Sequence, residues 1–159
     1  MGCNSANVSP KAYFDFDEIE YYNSPILATE FIEILNNGKK SETDSIKAGV
    51  LLFNIPKSIS DTLFISKLAE INFNKKYLDR AKFAEINQIF TEKSVKDKLS
   101  TSCDPMYSNI LLFRKNHVLV GIAKVCFGCM RNEIVGTNTN TDNFGQDGDY
   151  DRLRTLLFK

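Results

Sequence analysis

The sequence predicts an α+β fold, with a helical N-terminal half packed on a small antiparallel sheet and a closing C-terminal helix. Three observations carry that expectation. Apolar residues recur at helical spacing between Ile26 and Phe90. Two β-rich runs, Met106 to Lys115 and Val118 to Phe127, flank Asn116-His117. The segment GDYDRLRTLLF ends the chain with Leu153, Leu156 and Leu157 on one helical face.

Each element has its own local reason. The start, residues 1–11, has no apolar period and reads as a disordered tether, leaving 12–159 as a single domain. In AYFDFDEIEYYN the apolar positions run Phe14, Phe16 and then change phase to Ile19 and Tyr21, which predicts one strand with a bulge near Asp17. Ser24-Pro25, followed by Ile26, Leu27, Phe31, Ile34 and Leu35 and then Gly38, predicts a capped helix with a glycine stop. The segment 42–55 suits a helix by its acidic start and a buried strand by its VLLF run.

A third helix is expected over Ser58 to Ile71, capped by Ser60 with Leu63, Phe64, Ile65, Leu68 and Ile71 on one face, and a fourth over Asp79 to Lys93. These stripes are expected to pack the core. Lys39-Lys40 and Lys75-Lys76 are expected to be solvated surface. A short third strand is expected within Asn132 to Thr137, and the last helix should be capped near Asp147 or Asp149.

Lys+Arg and Asp+Glu both number 20, so the net charge is zero and gives no electrostatic case for nucleic acid or an anionic membrane surface. No run approaches the roughly 18 apolar residues of a spanning helix. The chain opens with Gly2-Cys3 and a polar Ser/Asn/Pro stretch, the form of a bacterial lipoprotein whose signal peptide has been removed. An N-myristoyl reading fails where Ala6 replaces the expected Ser or Thr.

The remaining cysteines carry the sharpest inference. With the turn at Asn116 and His117, Lys115 faces Val118, Phe113 faces Val120 and Tyr107 faces Cys126, which brings Cys103 beside Cys129 and Met130. Cys103, Cys126 and Cys129 therefore converge on one hairpin end. Three chemistries fit. A disulfide, Cys103 to Cys129 or Cys103 to Cys126, would tie the strand ends. The three thiolates would also suit a metal ion, although His117, the only histidine, sits roughly 30 Å away at the opposite end of the hairpin and cannot complete the set. Last, Cys126 and Cys129 would serve as a CxxC redox pair, with Cys126 attacking and Cys129 resolving. Against that stands MRNEIVGTNTNT, which follows the motif and is no helix former; no proline occurs after Pro105 to supply the cis-proline of a thioredoxin fold.

Other clusters are explained without chemistry. NTDNFGQDGDYD departs from a calcium loop, because Gly145 and Arg154 fall where ligands belong, and reads as a turn leading into a helix cap. Asp15, Asp17, Glu18 and Glu20 read as the exposed face of an edge strand. No G-x-S-x-G or glycine-rich phosphate loop is present, and His117 reads as a solvated turn residue.

From Cys103 through Pro105 and Tyr107 to Cys126, Phe127 and Cys129, and on into the Leu-rich C-terminus, the sequence resembles a group of small exported bacterial lipoproteins of unassigned function. The resemblance covers about a third of the chain. It implies export, a lipid on Cys3, and localisation at the cell envelope, periplasmic or outer-membrane associated. The expectation is a non-enzymatic envelope lipoprotein domain that needs no cofactor, takes an unknown protein or small-molecule partner, and meets the membrane only through that lipid. A thiol-disulfide redox protein is the alternative.

Overall fold

The computed structural model describes residues 9–52, 55–96 and 102–159. Cys3 and most of the expected tether lie outside them. The fold is α+β, as the sequence predicts. One antiparallel sheet of five strands has the order β2-β1-β3-β4-β5, with β1 Glu18–Asn23, β2 Asn74–Tyr77, β3 Asn109–Lys115, β4 Val118–Cys126 and β5 Arg131–Val135. Four helices cover it: α1 Ala28–Asn36, α2 Glu42–Leu52, α3 Phe83–Ile89 and α4 Asp149–Phe158.

The sheet is buried on both faces, which explains why its central strands read as near-continuous apolar runs. On one face, Tyr21, Leu111, Phe113, Ala123 and Val125 meet Ile86, Ile89 and Phe90 of the α3 region and Leu153 and Leu157 of α4. On the other, Tyr22, Ile110, Leu112 and Ile122 meet Phe31 of α1, Val50 and Leu51 of α2, and Phe64, Leu68 and Ile71. The phase change expected before β1 is real: Phe14, Phe16, Ile19 and Tyr21 all join the first cluster. The regular strand, however, begins only at Glu18, and Ala12 to Asp17 is an extended arm whose Tyr13 N–H donates to Phe90 O at 2.8 Å.

The β3–β4 hairpin turns at Asn116 and His117, both with positive φ (49° and 66°), as a two-residue turn that follows sheet twist requires. Lys115 pairs with Val118 as expected. Beyond Arg114 and Leu119 the register slips by one, because Val120 is an extra residue and Phe113 faces Gly121 instead of Val120. The reason is packing: a Cβ at 121 would collide with the Phe14 ring of the arm, so glycine admits that ring to the core.

Three expectations are corrected. Ser24 does not cap α1; it continues the strand, its N–H donating to Ser108 O, and Leu27 occupies the cap position. The Ser58 to Ile71 helix is replaced by turns and a 3-10 segment, Leu63–Lys67, with Leu63 85% exposed. There Asp61 accepts from the Lys57 N–H and Ser58 pairs with Ser60, local side-chain bonds that compete with a helix. The fourth helix is shorter than Asp79 to Lys93, because Asp79 caps a 3-10 turn that leads into α3, which ends at Ile89. Lys75-Lys76 are exposed, as expected, and lie in edge strand β2, whose Asn-Lys-Lys-Tyr sequence has no periodic signal. Of the ambiguous segment 42–55, Glu42–Leu52 is helix α2, whose start Ser41 caps by accepting from the Asp44 N–H, and 53–54 lie outside the described residues.

Candidate functional site

The two ends of the sheet are built differently. At the turn end, the acidic residues at 15–20 are paired instead of idle. Asp15 meets Lys115 at 3.0 Å, both Asp17 carboxylate oxygens accept from the Asn116 N–H at 3.2 Å, and Glu18 lies 3.2 Å from His117. Glu20 is buried and held by Lys75 at 2.7 Å, by Tyr22 OH at 2.9 Å and by Arg114. Burial pushes its carboxyl up, but the hydrogen bonds from these three partners win and hold it near about 2. This corrects the exposed-face reading of Glu20, which is a desolvated anion in a cationic nest.

At the other end the cysteines meet. Cys103 and Cys129 form a disulfide with Cα atoms 5.8 Å apart, one of the two pairings expected. Cys126 is free and buried, clustered with Cys129 and Tyr107. Cys126 ends β4 beside Ser108 and Asn109, whereas Cys129 lies in the loop after β4 and is the cysteine that reaches Cys103. Two of the three sulfurs expected as metal ligands are thus bonded to each other. The proposed resolving thiol, Cys129, is likewise engaged in this state.

The Asp-rich loop before α4 is a turn, with Gly145, Asp147 and Gly148 at positive φ. Gly148 takes the cap position and Asp149 the first turn of the helix. Among the described residues no cluster of three His, Cys, Asp or Glu side chains is arranged to hold a metal ion.

Above the sulfurs lies a groove of about 820 Å³, within the range of small-molecule sites. It opens where β1 ends, β3 begins and β4 ends, so the helices covering opposite faces of the sheet form its two sides. From α1 come Phe31, Ile32 and Leu35; from the end of α2, Leu52. Arg154 and Phe158 of α4 line the opposite side, and Cys126, Phe127, Gly128 and Cys129 the end. The remaining wall is Asp104, Pro105 and Met106, the segment that follows Cys103.

The groove is held open by buried polar contacts. Asn109 accepts from Tyr21 OH at 2.7 Å and from Asn23 Nδ2 at 3.1 Å, joining the ends of β1 and β3. Lys124, 1% exposed, donates to Val50 O at 3.0 Å, pairs with Glu133 at 2.7 Å and lies 4.7 Å from the centre of the Tyr107 ring. Its ammonium thereby satisfies a carbonyl in the last turn of α2, where the helix dipole favours positive charge. Burial depresses the Lys124 pKa and Glu133 opposes that shift. Burial, together with the nearby Glu133 and Cys126, pushes the Tyr107 phenol up to about 12. The Tyr107 N–H donates to Leu51 O at 2.7 Å, so β4 and the 103–108 segment both grip the C-terminus of α2.

The cysteines of this site are legible in the sequence, whereas its walls are not. The α1 stripe is expected as core, and Phe31 is core; its neighbour Ile32 is 53% exposed on the groove. One signal was present: successive helical residues point about 100° apart, so Phe31 and Ile32 cannot both face one core. Lys124, inside an apolar strand run, was the other. No protein-family model, no curated protein and no solved structure matches the chain.

Proposed function

We propose that the chain is a non-enzymatic binding domain of the cell envelope, anchored by a lipid on Cys3, whose partner places an apolar group in the groove at the disulfide end. The observation that carries this reading is the groove itself: an opening walled by Phe31, Ile32, Leu35, Phe127 and Phe158, with Ile32 and Phe158 exposed. Apolar side chains left uncovered around a concave site gain free energy when a partner removes them from water. The volume accommodates a small molecule or one or two side chains of a protein partner.

The test uses 1-anilinonaphthalene-8-sulfonate as a probe of apolar surface. Wild type is expected to bind it saturably, and Ile32→Glu or Phe158→Glu to weaken binding about tenfold with unchanged thermal stability. Equal binding by all three proteins removes the groove as the site. The envelope anchor is read separately: in native cells Cys3→Ser is expected to move the chain out of the detergent phase. A thiol-disulfide enzyme using Cys126 and Cys129 is the competing reading, favoured by their contact at the groove end. Reduction of insulin disulfides that depends on Cys126 would establish it.

A further inference from the structure

The three sulfurs differ in solvent access. Cys126 is a free thiol, 7% exposed, clustered with Cys129, which is 6% exposed and bonded to Cys103. Both line the groove, whereas Cys103 is exposed. Its segment from Asp104 to Met106 is a wall of that groove.

We propose that the Cys103–Cys129 bond exchanges with Cys126, so that the groove wall alternates between a stapled and a released state. The Cys126 thiol loses its proton to water in the groove. Its thiolate attacks Sγ of Cys129, forming a Cys126–Cys129 bond as the Cys103–Cys129 bond breaks. Cys103 leaves with the electron pair and takes up a proton from solvent. One disulfide and one thiol stand on each side, so the step is an isomerisation that requires no oxidant or reductant. Attack on Cys129 is preferred over attack on Cys103 because the sulfur expelled is then the exposed one, which water stabilises as a thiolate.

Cys126 ends β4 and Cys129 lies three residues on, in the short loop before β5, and both belong to one buried cluster with Tyr107. Its consequence is confined to one wall. The stretch 102–106 loses its covalent tie, while Tyr107 still holds Leu51. The inference concerns the bond and stands whether or not the groove binds a partner.

The experiment follows the thiol. Native, oxidised full-length chain is incubated with N-ethylmaleimide between pH 6 and pH 9, quenched in acid and digested with trypsin. Cleavage after Lys124 and Arg131 releases Cys126 and Cys129 in one peptide, Cys103 falls in another, and Cys3 in a third. Exchange predicts that label accumulates on Cys103, with an internal disulfide in the VCFGCMR peptide, and that its rate rises with pH because the thiolate is the attacking form. Cys126→Ser and Cys126→Ala are both expected to abolish Cys103 labelling. Label confined to Cys126, or Cys103 labelling that persists in both variants, overturns the proposal. Thermal unfolding of the two variants identifies which of them is folded and therefore decides.

Discussion

The turn end of the hairpin and its sulfur end solve the same problem with different physics. Both must hold the ends of β3 and β4 in place. At the turn end the bonds are ionic and hydrogen-bonded, from Asp15, Asp17, Glu18 and Glu20 to the stretch Arg114–His117. At the sulfur end a disulfide joins the loop before β3 to the loop after β4, beside the Lys124 and Tyr107 bonds to α2, and a groove remains between the helices of the two faces. The lesson is that several short-range contacts require surfaces to meet, whereas a single disulfide joins two points and leaves the space beside them open.

The comparison can be broken first at the sulfur end. Replacing both Cys103 and Cys129 by Ser removes a cross-link over 26 residues, expected to cost about 3 to 4 kcal/mol on loop-entropy grounds. Cys103→Ser alone, oxidised by oxidised glutathione, should cost only about 2 kcal/mol, because a Cys126–Cys129 bond recovers part of the constraint. Urea unfolding of the two variants measures the difference, and equal losses would show that the shorter bond does not form.

At the turn end the largest effect belongs to Glu20. Glu20→Gln leaves Lys75 and Arg114 without their anion and should cost about 2 kcal/mol. Its folded pKa, about 2, lies below the ordinary 4.5. The stabilisation is therefore complete above pH 4.5 and is lost as pH falls from there toward 2. The variant should lack that part of the acid dependence; matching acid limbs for variant and wild type would show that Glu20 is not the titrating group. Asp17→Ala removes the acceptor for the Asn116 N–H and should cost roughly 1 kcal/mol or less at an exposed site. Smallest on stability is Ile32→Glu, expected within about 0.5 kcal/mol because the side chain is already half exposed. A large loss there would mean that Ile32 is core and not a groove wall.

The same contrast marks what the sequence could disclose. Local chemistry was readable: the Asn116-His117 turn, the helix start at Asp79, the phase change before β1 and the convergence of sulfurs all follow from residue type and spacing. Contacts between distant segments were not. The Val120 bulge sits where the Phe14 ring of the arm packs against Gly121, a contact between segments more than a hundred residues apart. Strand β2 exists only because β1 offers a partner for it, and its four exposed residues show no pattern. The Ser58 to Ile71 stretch had helical spacing, but its hydroxyl and carboxylate side chains spend their bonds on turns. The groove walls come from three helices and two loops, an arrangement no single window of sequence contains.

Strand β2 has one more consequence. It ends the sheet with backbone groups that a second molecule could extend, yet it is only four residues long and carries Lys75 and Lys76 at its centre. Lys75 is drawn inward to Glu20, and the Lys76 ammonium lies 5.7 Å from the centre of the Phe158 ring and 5.9 Å from that of Tyr21. An incoming strand would have to lie beside two ammonium groups that already have internal attachments. That margin of the sheet is thereby guarded against self-association by the same charges that knit it to the domain.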